Sequence, residues 1–283
     1  MALQHDASSG AFSVDGGSGE FNWSPGTTHT PVGTPVVAFV WVQFSVDTLS
    51  SGSVSLNSVT YGGVPMTFIT SNTVSGNSMD MYALLNPPTG PQNVFLNFSN
   101  DDGATDIEGF ADVTTLSSSL GGTATLGLPT VTANATSNAM TQNVTGTSTN
   151  NLWVHQYGVG TSSGPPVTTV VGVGETRRAG SASYGDGVFF PRGTFNITTQ
   201  LSLVGTVTPR INLSASKPWR IISLEVREVA PVVAGHVLTS YQTGVFPGIG
   251  MNQEDVGLKV QPEQMQKIWR GDRRFYRGPA EPN

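Results

Sequence analysis

The sequence predicts an all-β protein, and three observations support the prediction. Charged residues make up only 11% of the 283 residues, whereas an average domain has about a quarter. Glycine and proline are abundant, with 34 and 18 copies. Before Pro262 no segment of helix length has a helical apolar period, and short alternating runs bounded by turn residues recur instead. We therefore expect an antiparallel β-sandwich of roughly a dozen strands.

The strongest strand signal is the apolar run 35–46, PVVAFVWVQFSV. Both of its alternating faces are apolar, which predicts a central strand covered on each side. Residues 54–60 and 64–69 flank the sequence YGG, where glycine supplies the positive φ of a hairpin turn. Residues 79–85 and 93–98 predict a second hairpin, joined by NPPTGP. The other predicted strands before the last one are 105–113, 139–145, 151–159, 167–173, 181–190 and 195–204.

Three further segments have weaker patterns. Residues 1–34 are rich in Gly, Ser and Thr and predict a loose start with one edge strand. The Thr/Ser/Gly/Ala stretch from 114 to about 136 is assigned no strand. The sequence GVGETRRAG at 172–180 is interpreted as a hairpin tip, because no strand-to-helix context surrounds it as a phosphate-binding loop would require.

The last strongly patterned strand is 219–229, WRIISLEVREV. Its even-numbered residues are mostly apolar, whereas residues 223, 225 and 227 are polar, which predicts a half-buried strand that closes the sandwich. Ala230-Pro231 then stops the strand pairing. We therefore expect a β-domain over residues 1–229 and a C-terminal arm over residues 230–283.

The charge distribution excludes one class of function. No Lys or Arg precedes Arg177, whereas eleven acidic residues do, and the net charge is −6. The first half of the chain would repel a phosphate backbone, so nucleic-acid binding is not expected. There is no cysteine, no apolar stretch approaching 18 residues, and no basic and apolar start. We expect a soluble protein without a membrane span or a standard export signal.

Three sequence strings, taken in order, carry a resemblance: VTYGGVPMTFI, MYALLNPPTGPQNVFLNFS and WRIISLEVREV. Their order and spacing over about residues 10–229 resemble a jelly-roll-like β-sandwich domain of tailed-phage virion proteins, which also occurs in secreted bacterial proteins. The resemblance implies structural roles. Gly62 and Gly63 would permit the turn, Pro87 and Pro88 would fix a corner, and Trp219 would plug one end of the sandwich.

The arm departs from this resemblance because such a domain does not require it. Residues 262–270, PEQMQKIWR, predict a short helix with proline in its first turn. Nine residues do not hold a helix alone in water, so its small apolar face needs a cover. The arm either wraps over its own sandwich or docks on a neighbouring subunit, and Trp, Tyr and Arg are typical anchors of interfaces. The predicted interface residues are Phe246, Met265, Ile268, Trp269, Arg270, Arg273, Arg274, Phe275, Tyr276 and Arg277.

The sequence contains no catalytic motif, so a non-enzymatic protein without a cofactor is expected. The four histidines are far apart and lack zinc-ligand spacing. The candidate metal site is NDDGATDIEG, where clustered carboxylates around a glycine turn suit Ca²⁺, although the spacing is not that of an EF-hand. A solvated acidic loop tip is the alternative. The residues of this cluster are Asp101, Asp102, Asp106 and Glu108.

We expect a structural protein of a phage virion: a capsid decoration, cement or head-fibre protein on the capsid exterior. Its partners would be other virion proteins, capsid or tail subunits, and it would form a homo-oligomer, with a trimer as the first expectation. The alternative is a glycan-binding module of a tail fibre or adhesin, in which Trp23, Trp41, Trp153 or Tyr184 stacks on sugars. A β-sandwich hydrolase would need paired carboxylates in one cleft, and strand alternation gives no such pair.

Overall fold

The computed structural model describes residues 3–9, 12–16, 21–23, 28–46, 54–74, 77–100, 107–161, 169–184 and 192–231. These residues form nineteen strands and no helix, and every strand pairing among them is antiparallel. The predicted all-β class is confirmed. In chain order the strands are β1 (Leu3–Ser8), β2 (Phe12–Gly16), β3 (Phe21–Trp23), β4 (Pro35–Val46), β5 (Val54–Tyr61), β6 (Val64–Pro65), β7 (Thr67–Val74), β8 (Asn77–Leu85), β9 (Val94–Asn100), β10 (Ile107–Ser118), β11 (Thr123–Leu126), β12 (Thr130–Thr141), β13 (Val144–Gly146), β14 (Leu152–Thr161), β15 (Thr169–Val171), β16 (Glu175–Tyr184), β17 (Arg192–Leu201), β18 (Gly205–Val207) and β19 (Arg210–Val229).

The strands build three packed layers. The central sheet has the order β1-β10-β4-β8-β7, with β2 also on β10. The small sheet, β3-β9-β5-β6, covers one face of the central sheet. The closing sheet, β11-β19-β14-β17-β16 with β12 and β15 also on β19, covers the other face. A two-stranded ribbon, β13-β18, completes the described elements.

Strand β4 lies in the middle of the core, as its sequence predicts. Its odd-numbered side chains, including Phe39 and Trp41, pack toward the closing sheet. Its even-numbered side chains, including Val40 and Val42, pack toward the small sheet. All four are completely buried. A strand covered on both faces needs apolar residues at every position, which is why this run shows no polar alternation.

The two turns predicted as hairpins have different outcomes. Gly62 and Gly63 have φ values of 59° and 77° and join β5 to β6, which confirms the first hairpin. The second prediction was wrong, because β8 pairs with β4 and β7 in the central sheet whereas β9 pairs with β5 in the small sheet. The proline-rich segment after β8 therefore passes from one layer to the next, with Pro87 buried at that corner.

Strand β19 corrects the prediction of a half-buried closing strand. It begins at Arg210, nine residues earlier than expected, and both of its faces are buried between Trp219 and Val226. Ser223 and Leu224 are each fully buried although they point to opposite faces. Trp219 packs with Tyr157 on the face turned away from the central sheet, so it does not plug an end between the layers.

Other boundaries also moved. The Thr-rich stretch assigned no strand contains β11 and the first part of β12, and both pair with β19. The interpretation of 172–180 as a hairpin tip was wrong, because β16 begins at Glu175 and pairs with β17, whereas β15 before the turn pairs with β19. Residues 1–34 contain three strands and not the one edge strand expected: β1 lies at an edge of the central sheet, β2 pairs with β10, and β3 lies at an edge of the small sheet.

Met1–Pro231 forms one compact unit that contains every described residue. Residues 232–283, with the predicted short helix of the arm and all of the predicted interface residues, lie outside the described part of the chain. The described residues include no helix that could cross a membrane.

Candidate functional site

Buried polar side chains are concentrated on the far face of the closing sheet, the face turned away from the central sheet. Strands β14, β17 and β19 form the floor, and register places His155 between Ser223 and Thr198. Strand alternation predicts that these positions are solvated, but residues from β12, β13 and β18 pack over this face. The polar groups are consequently desolvated and must find partners inside the protein.

Glu225 is the most extensively bonded of these groups. Its side chain is only 2% exposed. Oε1 accepts hydrogen bonds from the Thr147 backbone N at 2.9 Å, Asn151 Nδ2 at 3.2 Å and Ser202 Oγ at 2.8 Å. Oε2 accepts from Thr147 Oγ1 at 2.9 Å and Arg227 Nε at 3.0 Å. Five donors on one carboxylate join β19 to the turn before β14 and to the end of β17.

These bonds determine the charge of Glu225. Burial raises the pKa of a carboxyl group, but the hydrogen bonds from Thr147, Ser202, Asn151 and Arg227 outweigh burial and lower the pKa of Glu225 to about 2. The group is ionised at neutral pH, and both oxygens are occupied. Glu225 therefore acts as a fixed structural anion, unlike a catalytic carboxyl, which needs a free oxygen for substrate.

A second chain of bonds runs through His155. Its Nδ1 lies 2.8 Å from Ser223 Oγ, and Ser223 Oγ donates to Gln142 Oε1. Because the serine proton points to Gln142, the serine oxygen accepts from His155 Nδ1–H. Gln142 Nε2 continues the chain to Thr132 Oγ1 at 2.8 Å. The chain fastens β12 over β14 and β19.

The histidine and serine pair is not arranged for nucleophilic catalysis. His155 and Ser223 are both fully buried, and burial lowers the pKa of His155 to about 3, with Gln200 acting in the opposite direction. A general base needs a pKa near the working pH and access to substrate. The pair has neither property and is a packed element of the fold.

Glu175 is a second anchoring carboxylate. Its Oε2 accepts from Tyr157 Oη at 2.7 Å and from Thr198 Oγ1 at 2.6 Å, while the Arg210 backbone N donates to Oε1. Burial, followed by the negative charge of Glu175, raises the pKa of Tyr157 well above its usual range. This cluster ties the start of β16 to β17 and to the start of β19.

Two other carboxyls are buried on the central sheet: Asp112 on the face toward the closing sheet and Asp80 on the face toward the small sheet. Asp112 is fully buried in β10, and burial raises its pKa to about 8, although a 3.1 Å hydrogen bond from Thr114 Oγ1 opposes the shift. Its Oδ2 has no partner within the described part of the chain. Asp112 is therefore protonated at neutral pH. Burial also raises the pKa of Asp80, to about 6.

A pocket of about 470 Å³ lies on the far face of the closing sheet. It reaches solvent, since Leu128 is 88% exposed and the Arg227 side chain is 46% exposed. Its floor includes Trp153, which is 3% exposed and stacked parallel to His155 at 6.0 Å. The lining residues are Leu126, Gly127, Leu128, Thr130, Asn143, Val144, Thr145, Trp153, Glu225 and Arg227.

The outward face of the small sheet is uncharged. Strands β3, β5, β6 and β9 contain no Asp, Glu, Lys or Arg. Asn57 Nδ2 donates to Asn97 Oδ1 at 3.1 Å, and Ser99 Oγ donates to Asn57 Oδ1 at 3.1 Å. The aromatic side chain of Phe95 lies on this face and is 42% exposed. The result is a neutral surface of amides and hydroxyls around one phenyl ring.

The sequence-predicted site residues fall mostly outside the described part of the chain. That holds for Asp101, Asp102 and Asp106 and for the side chain of Glu108, whose backbone pairs with Ser45 and Asp15. No group of three His, Asp or Glu side chains in the described residues could hold a metal ion. The Ca²⁺ site therefore stays a prediction.

The aromatic residues proposed for sugar stacking can be placed in part. Trp41 is completely buried between the central and closing sheets, and Trp153 is 3% exposed, so neither offers a ring face to a sugar. The side chains of Trp23 and Tyr184 are not among those described.

Sequence reasoning missed the pocket and the hydrogen-bonded side chains around Glu225, His155 and Glu175 on the far face of the closing sheet, which we call the far-face network. Apart from Arg227, the partners of Glu225 lie 23 to 78 positions away along the chain, and a spacing of that size leaves no periodic signal. Comparison with known proteins adds no family: no protein-family model matches the chain, and no curated protein matches it.

Proposed function

We propose that this chain is a non-enzymatic structural protein of a phage virion, a capsid decoration, cement or head-fibre protein. Its β-sandwich packs against neighbouring subunits in a homo-oligomer, with a trimer as the first expectation. The C-terminal arm docks on other virion proteins, either capsid or tail subunits. The resemblance of the three sequence strings suggested this role.

The neutral outward face of the small sheet is the observation that carries the proposal. Transfer of a lysine or glutamate from water into a protein contact costs several kcal/mol unless a partner compensates it. A surface of Asn, Ser and Thr around Phe95 avoids that cost, and aromatic residues are enriched at interface centres. Such a face is suited to permanent contact with another protein.

The far-face network supports the same role in a second way. Glu225 and Ser223, two groups that could perform chemistry, have their side-chain oxygens engaged in bonds that hold strands together, and His155 is fixed to Ser223 through Nδ1. A body fastened by buried carboxylates resists local opening, because breaking such a network leaves an uncompensated buried charge. Rigidity of this kind suits a particle component.

Purified particles from cells that produce the full chain test the proposal. We expect the protein to sediment with the particles and to be located on their exterior by immunogold labelling. Ser58→Lys places a charge on the neutral face and should reduce incorporation at least tenfold. Thr176→Lys is the matched control, because Thr176 is exposed on β16 in the closing sheet, and its incorporation should equal that of the native chain.

Recovery of the protein only in the particle-free fraction would refute the virion role. Equal incorporation of the Ser58 and Thr176 variants would show that the neutral face is not the contact surface. Circular dichroism of each purified variant establishes that the sandwich is intact before incorporation is compared.

A further inference from the structure

We propose that the pocket beside Trp153 binds a small ligand that carries a carboxylate and hydroxyl groups, as a hexuronic acid does. The site is independent of the proposed virion role, since none of its lining residues belongs to the small sheet or to the arm. The hydrogen-bonding groups that line the pocket favour such a ligand.

The pocket offers mainly donors. The Trp153 ring forms part of the floor, but its Nε1 is closed off from solvent and is not counted among the donors. Asn143 accepts from Thr208 Oγ1 through Oδ1, which leaves its Nδ2 as a donor. An acceptor supplied by a ligand would satisfy this Asn143 donor.

Arg227 supplies the one positive charge in the lining of the pocket, and the ionised Glu225 beside it supplies a negative charge. Its Nε is held at 3.0 Å from Glu225 Oε2, so the guanidinium plane is oriented while its Nη1 and Nη2 atoms make no bond to a described residue. An oriented guanidinium edge fits a carboxylate with two parallel hydrogen bonds. The five donors on Glu225 occupy both of its oxygens, so Glu225 does not compete as an acceptor.

The rest of the lining fits a hydroxylated ring. Thr130 and Thr145 present hydroxyls that make no bond to a described residue, and a hydroxyl can donate or accept. Leu126, Leu128 and Val144 provide apolar walls. A volume of about 470 Å³ lies within the usual range of about 300–1,000 Å³ for small-molecule sites, and it accommodates one or two sugar rings.

Isothermal titration calorimetry of the full chain with sodium D-glucuronate, methyl β-D-glucoside and N-acetylglycine tests the assignment. We expect glucuronate to bind with a millimolar Kd and the other two probes to bind at least tenfold more weakly, because each lacks one of the two required groups. Equal binding of the neutral glucoside would overturn the carboxylate assignment. Equal binding of N-acetylglycine would overturn the sugar assignment, and absence of glucuronate binding would overturn both.

Variants locate the binding. Arg227→Gln should weaken glucuronate binding at least tenfold, whereas Arg210→Gln, an exposed arginine outside the pocket, should leave it unchanged. Arg227 also contacts Glu225, so Leu128→Trp provides a second test that leaves this pair intact. Leu128 is 88% exposed, and the larger tryptophan side chain narrows the pocket. This variant should also bind glucuronate more weakly. Unchanged affinity in both pocket variants would overturn the proposed location.

Discussion

Replacing Glu225 with glutamine tests whether the far-face network stabilises the β-domain over residues 1–229, called the body below, as its geometry indicates. The change keeps the size of the side chain and removes its charge. The best placement of the new amide puts Nε2 where Oε2 was, because Thr147 Oγ1 can rotate to accept. The Arg227 Nε–H then faces a donor, so one charge-assisted bond is lost and the three bonds to the other oxygen become neutral.

Charge-assisted hydrogen bonds contribute about 1.5–3 kcal/mol and neutral ones about 1 kcal/mol. The expected loss in the free energy of unfolding is therefore about 3 kcal/mol, which lowers the Tm of a body of this size by about 6–12 °C. Differential scanning calorimetry at pH 7 measures it. Glu228→Gln is the control on the same strand, since Glu228 accepts one side-chain bond, from Ser118 Oγ at 2.7 Å, and should cost less than about 1 kcal/mol.

The pH dependence gives a second check on Glu225. Its pKa falls from 4.5 to about 2 on folding, so the unfolded chain binds the proton more readily than the folded chain. The stabilisation is complete above pH 4.5 and disappears as the pH falls toward 2. The gap between native and Glu225→Gln proteins should shrink over that interval. Equal Tm values at pH 7, or a gap that stays constant down to pH 2, would refute the reasoning.

Three further predictions follow from other parts of the chain. Asp112→Asn should be about as stable as the native protein near pH 4 and more stable by a few kcal/mol at pH 8. The reason is that the folded state retains the proton of Asp112 between pH 3.8 and about 8, whereas the unfolded state loses it. Urea unfolding at both pH values measures the difference, and a native protein as stable as the variant at pH 8 would contradict the prediction. Gly109→Ala should destabilise the body by about 1–3 kcal/mol, because a Cβ there would clash with Gln43 O and lie 2.7 Å from Phe44 Cα; an unchanged unfolding midpoint would show that β10 and β4 can separate at this point. Trp269→Ala combined with Phe275→Ala should weaken docking by a few kcal/mol without altering the circular dichroism of the body, and unaltered particle incorporation would exclude these two residues as anchors.

The sequence predicted the parts of the fold in which apolar patterning alone determines the structure. Strand β4 was located at both ends because a strand buried on two faces is apolar throughout. The YGG turn was recognised because two successive positive φ angles call for glycine. In both cases a short stretch of chain contains the whole signal.

The remaining elements depend on partners that are distant in sequence. Strand β12 consists largely of Thr, Asn and Ala and becomes a strand because β19 offers it a ladder of backbone groups. The polar residues of β19 resemble a solvated face, since periodicity does not distinguish a solvated glutamate from one that accepts five buried hydrogen bonds. The layer change after β8 depends on which sheet receives β9, and the turn sequence NPPTGP does not encode that choice.

The candidate site was less predictable than the fold for the same reason. The pocket is assembled from the β11–β12 connection, β13, β14 and β19, which span about a hundred positions of the chain. Trp153 was singled out from sequence as a sugar-stacking residue, but the structure buries its ring faces and leaves only the indole N–H without a partner.

The central claim is that the body folds by itself and that the arm attaches it to a particle. The most direct test compares the incorporation of residues 1–229 into particles with that of the full chain. We expect the truncated protein to be soluble, to have the circular dichroism of a β-sandwich, and to be absent from purified particles, whereas the full chain is present in them. A truncated protein that incorporates as well as the full chain, or one that is unfolded on its own, would contradict the claim.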